Sequence, residues 1–166
     1  MLDLLQNRLI RSRMQAEQII LPALRWRYVE IGDCITCEGD VDMIDKVDAQ
    51  CDGLTEERPI WSIGIRCQGP RYSTFETHTF RRSEVARFFD LKLSVPDFLV
   101  HAYLKSETSL RHMGVMTGER VRNIFRGIGW HNIKWRDSEG QPARFTYLNW
   151  SEYPHDVEII KPDYLF

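Results

Sequence analysis

The sequence has little of what marks a familiar enzyme on sight. It contains no Walker phosphate loop, no dinucleotide GxGxxG, no GxSxG elbow and no HExxH. Its five histidines are scattered, with no pair at metal-ligand spacing. No apolar run approaches the roughly 18 residues that cross a bilayer, so no membrane association is expected. The opening MLDLLQNRLIRSRMQ puts its arginines after a short apolar stretch and an acid at Asp3. A secretory signal has the reverse order, and the expected location is the cytoplasm. There is no internal repeat, no low-complexity run and no linker. Lysine is scarce as well, at 5 residues against 17 arginines. Arginine's planar fork suits phosphate and carboxylate partners better than an ammonium does, so the bias fits a nucleic-acid surface or a polar protein interface.

What is present reads as one α/β domain. The 166 residues are 43% hydrophobic and 28% charged, enough to bury a core without metal or disulfide support. The expected organisation is a central mixed sheet flanked by helices. Its core covers about residues 1–105, and a C-terminal helix and hairpin cover 106–166. Charge is unevenly placed. Residues 30–57 hold ten acids and a single lysine, whereas residues 58–150 hold fifteen basic residues and eight acids. The acidic stretch reads as a solvated edge, or as a surface for a basic protein.

Apolar spacing predicts an amphipathic helix over 2–20, which Pro22 ends or restarts. Strands are expected at 31–37, 43–51, 60–67, 71–80, 97–104 and 113–116. Helices are expected over 83–91, with Ser83 as cap, and over 118–128, with Thr117 as cap and an end near Gly127 to Gly129. Residues 130–136 and 143–150 form the expected hairpin, and the tail beyond is expected on the surface.

Three places carry potential chemistry together. EQIILPALR sets Glu17 on the first helix, DKVDAQCDG sets Asp48 on a strand, and WSIGIRCQ ends the next strand in Arg66-Cys67-Gln68. In this order the chain resembles the PD-(D/E)XK nuclease-like superfamily, which pairs an optional helical Glu with a strand Asp and an acid-x-Lys on the neighbouring strand. The resemblance implies a restriction-endonuclease-like core over roughly residues 10–70. It also implies a site of Asp48, Glu17, Gln68 and Arg66, and Mg²⁺ or Mn²⁺ held by Asp48 and Glu17, with nucleic acid, DNA before RNA, as substrate. Small proteins of this resemblance are similar to those of phages and plasmids. The third motif departs from the pattern. Arg66 stands where the metal carboxylate belongs, and Gln68 where the lysine belongs. A cation there opposes a divalent metal, so Arg66 is also expected to pair with Asp48 or Glu17 in an inactive site. Asp45 is expected on the opposite side of the strand, and Asp52 past its turn. Two functions follow: a metal-dependent nuclease, or an inactive nuclease-like fold that binds a protein partner.

Two further sets stand apart. Cys34, Cys37, Cys51 and Cys67 could hold Zn²⁺, in a zinc-stabilised binding module. Residues 34 and 37 point to opposite faces of a strand, however, so four reduced, buried thiols are the expectation. Arg120, Arg122, Arg126, Lys134 and Arg136, interleaved with Trp130 and Trp135, form a candidate nucleic-acid surface.

Overall fold

A computed structural model describes residues 10–37, 46–68, 77–137 and 144–161. Helix α1 covers residues 10–27 without a break. Its middle turn, Ala16–Ile20, is wound as a π-helix, and Leu21–Arg27 continues it as α-helix. Pro22 therefore neither ends nor restarts the helix. It lacks an N–H, and its ring would strike the carbonyl four residues back, so the wider π turn just before it absorbs the misfit.

Six strands form the main sheet, in the order β1 (Ile31–Cys37), β2 (Lys46–Gly53), β3 (Ile60–Gln68), β5 (Phe98–Ser106), β6 (Ser109–Thr117) and β9 (Glu158–Ile160). The first three run as an antiparallel meander, β5 lies parallel to β3, and β6 and β9 add antiparallel edges. A parallel neighbour needs a crossover. Here it contains β4 (Thr77–Arg81) and helix α2 (Arg82–Phe89). β4 pairs not with the main sheet but with β8 (Arg144–Asn149), which also pairs with β7 (Arg136–Asp137) in a second, three-stranded sheet. Helix α3, Gly118–Ile128, follows β6. The mixed sheet flanked by helices is thus the architecture expected.

Each face of the main sheet builds its own core, because strand side chains alternate. Val47, Ala49, Cys51, Ile63, Ile65, Val100 and Ala102 pack under α1 with Ile20 and Leu24. On the other face Leu99 and Met116 pack against α2, α3 and the small sheet, with Phe88, Val121, Phe125 and Leu148. Trp150, just after β8, closes over Gly114 of β6. A Cβ at that glycine would lie 2.6 Å from the indole, so only glycine admits the ring.

Local signals set α3 as expected. Thr117 Oγ1 accepts the Arg120 N–H at 3.2 Å, and Gly129 takes φ +86° at the other end. Helix α2 begins one residue before the expected start. Arg81 is its N-cap, and Glu84 in the first turn accepts the Arg81 N–H at 3.3 Å, so Ser83 lies inside the helix. The tail is not merely surface. Glu158–Ile160 joins the sheet beside β6, and Ile160 is buried.

Candidate functional site

Strand parity decides which of the candidate residues meet. Asp48 pairs across the sheet with Gly64, and directly opposed residues share a face. Asp48, half-buried, therefore projects to the α2–α3 side, as do Gly64 and Arg66. Glu17 does not. It lies exposed on α1, over the opposite face, where its carboxylate accepts the Thr36 hydroxyl. Arg13 also reaches Thr36, at 3.4 Å. The sheet stands between Glu17 and Asp48, and the expected shared metal site does not assemble.

Arg66 is buried, and a carboxylate outside the expected set meets it. Its guanidinium meets the Glu84 carboxylate at 3.0 Å and donates to the Thr79 carbonyl. Beside it, buried His101 accepts the Thr79 N–H at its Nδ1, at 3.1 Å, and stacks on Tyr103 with ring centroids 4.9 Å apart. Arg66 and His101 thus pin β4, and with it the small sheet, onto the main one. Gly64, Arg66, Thr79, Glu84, Leu99 and His101 line a cavity of about 20 Å³, room for about one water. No motif marks Glu84 in the sequence. Its only signal was a lone acid in the first turn of a helix, which also describes an ordinary cap.

Among the described residues, no second carboxylate stands beside Asp48 on the neighbouring strand. The β3 neighbour of Asp48 is a glycine, and the next residue on that face is an arginine already bound to a carboxylate. Among the described residues no three His, Cys, Asp or Glu side chains converge. Gln68 ends β3, but its side chain lies outside the described residues, as does Asp45 altogether. Asp52 is on β2 rather than past its turn, four residues from Asp48 and exposed.

The cysteines correct a second expectation. Cys34 and Cys51 face each other across β1 and β2 and form a disulfide, so the chain does not carry four thiols. A register shift between Ile31 and Cys34 brings this pair into line. Cys37 pairs with Asp48 on the other face, while Cys67 is buried in the core under α1. Two of the sulfurs are bonded to each other and Cys37 lies on the opposite face from Cys67, so the four do not converge on a zinc site.

The arginine set divides. Arg122 is buried and donates to the carbonyls of Phe88 (3.1 Å), Asp90 (3.3 Å) and Leu93, where it caps the end of α2. It is a structural residue and not a phosphate contact. Arg120 pairs with Asp156 at 2.8 Å. Arg126 and Lys134 are exposed. Arg136 lies over the Tyr147 ring at 4.7 Å, and Arg82 over both Trp130 (5.4 Å) and Trp135 (5.6 Å). Arg82 and Tyr147 were not among the residues picked from the sequence, because the strand pairings that bring them in are not local.

No family model, no curated protein and no solved structure matches the chain.

Proposed function

We propose that this chain binds nucleic acid across the surface formed by α2, α3 and the small sheet, and does not cut it at Asp48. One observation carries the reading: guanidinium groups laid on half-exposed aromatic rings, Arg82 on Trp130 and Trp135 and Arg136 on Tyr147, with Arg126 and Lys134 exposed in the same stretch of chain. Residues 77–90, 118–137 and 144–149 together hold nine Arg and Lys against four Asp and Glu. Such a field draws phosphates, and planar cations and rings meet bases. Kinship with the PD-(D/E)XK superfamily remains part of this proposal. What supports it is that Asp48 and Arg66 stand on neighbouring strands and share one face.

The test is fluorescence anisotropy of labelled DNA and RNA against the full chain over a salt series, with a cleavage assay in Mg²⁺ and Mn²⁺. Binding is expected to weaken steeply with salt, as counterion release requires, and to fall on Arg126→Glu with Lys134→Glu. No cleavage is expected with either metal. Absence of binding at low salt overturns the reading and favours the protein-binding alternative. The open groove of Pro22, Arg25, Trp26, Val29 and Ile31 would then be examined first. Cleavage that Asp48→Ala abolishes overturns the non-cutting half.

A further inference from the structure

The small sheet has an inner and an outer face, and they differ in kind. On β8, Thr146 and Leu148 are buried, and Leu148 belongs to the core beneath α2 and α3. Phe145 and Tyr147 alternate with them, so their rings project to the other side. Both are half-exposed, and among the described residues neither packs into either core. Two aromatic rings on the middle strand of the sheet thus face away from both cores.

The pairing of β4 and β7 with β8 sets Arg81 opposite Phe145 on one side and Arg136 opposite it on the other. Directly opposed residues share a face, so Phe145 sits in a row between two arginines. Thr79 is opposite Tyr147 in the next row, and Arg136 reaches back to cover the Tyr147 ring. The outer face thus offers two rings, roughly 7 Å apart along one strand, flanked by guanidinium groups.

We infer that this face binds unpaired nucleotides. One base stacks on Phe145 and a neighbouring base on Tyr147 or on the guanidinium plane of Arg136, while Arg81 and Arg136 take phosphates. The inference rests on the nucleic-acid reading above and narrows it to single strands. A duplex hides its base faces in its own stack and can offer this surface only its phosphates, so stacking separates the two forms.

The experiment measures anisotropy of labelled oligo(dT), oligo(rU) and a DNA duplex with the full chain at one salt concentration. It is repeated with Phe145→Leu, Tyr147→Leu and the pair Arg126→Glu with Lys134→Glu, each checked by thermal melting. At least one single strand is expected to bind about tenfold or more tighter than the duplex. The dT and rU arms decide between DNA and RNA. Each leucine variant is expected to weaken single-strand binding by about five- to a hundredfold, the effect of one stacked base, and to leave duplex binding unchanged. Equal binding of strand and duplex, with the leucine variants like wild type and the charge-reversal pair weakened, overturns this inference while the broader reading stands. No binding of any oligonucleotide removes both. Should a leucine variant fail to fold, ultraviolet crosslinking of oligo(dT) to the wild-type chain decides. Crosslinks within 144–149 support the inference, and crosslinks confined to other segments overturn it.

Discussion

Removing the Glu84 carboxylate tests the claim that Arg66 is held structurally. The pair is shielded, with only 8% of the Arg66 side chain and 9% of the Glu84 side chain exposed. Water therefore cannot take over when one partner is lost. In Glu84→Ala the guanidinium keeps the Thr79 carbonyl but loses the Glu84 carboxylate, and the Arg81 N–H loses that acceptor. Breaking a buried pair by removing one partner costs about 3–5 kcal/mol. For a chain of this length that lowers the melting temperature by roughly 6–20 °C. Replacing both partners, Arg66→Met with Glu84→Leu, removes the buried cation as well and is expected to cost less than the single change. What remains is the lost anchor to Thr79, about 1–3 kcal/mol. Urea unfolding of wild type, the two single variants and the double variant reads both effects, provided the slope with denaturant stays constant. A Glu84→Ala cost below about 1 kcal/mol, the range of exposed pairs, would refute the reasoning. Arg66 would then be a solvated cation on the Asp48 face and a candidate for ligand contact.

Three further outcomes follow from single contacts. Arg122→Ala deprives three carbonyls of their donor and is expected to cost about 2–4 kcal/mol in urea unfolding, whereas Arg126→Ala stays within about 0.5 kcal/mol; equal costs would contradict the assigned roles. Opening the Cys34–Cys51 bond, which spans 17 residues, is expected to cost about 3 kcal/mol, seen as a shift between wild type and Cys34→Ser/Cys51→Ser under non-reducing conditions. Thiol titration of the denatured, unreduced chain is expected to find only Cys37 and Cys67, and bound zinc in the purified protein would count against this pairing. Burial first, then the hydrogen bond to Glu158, raises the Tyr28 phenol above its ordinary value. The fold favours the neutral phenol, so this contribution to stability is whole below about pH 10 and is lost as pH rises toward the raised value. A denaturant midpoint followed from pH 9 to 12 is expected to fall more steeply for wild type than for Tyr28→Phe, and equal slopes would dismiss the assignment.

The parts of the fold legible in the sequence are those written in consecutive residues. β1 and β3 show their apolar, β-rich runs, and α3 carries both a capping threonine and a terminal glycine. What the sequence hid depends on distant partners. Pro22 looked like a helix boundary, but the π turn that accommodates it has no sequence mark. Glu158–Ile160 is only three residues long and becomes a strand because β6 offers an edge. The Cys34–Cys51 pair needs the exact register of β1 on β2, including its irregularity, and no spacing rule supplies that.

The candidate site failed to assemble for a related reason. Alternation says that Asp48 and Ala49 face opposite ways, but not which side the first helix will cover. Once α1 covers the Ala49 side, Glu17 and Asp48 are separated by the sheet, and Arg66 must find its counter-charge on the Asp48 side. Helix α2 supplies it through Glu84, and the same guanidinium then fixes β4 in place. That anchoring has a consequence on the far side of the small sheet. With β4 held from beneath and β8 paired to it, Phe145 and Tyr147 project away from the core in a fixed row with Arg81 and Arg136. The buried Arg66 is therefore one support of the surface proposed to bind. The two readings are coupled physically: Glu84→Ala is expected to weaken single-strand binding through loss of β4, although Glu84 lies beneath the small sheet and no nucleotide would touch it.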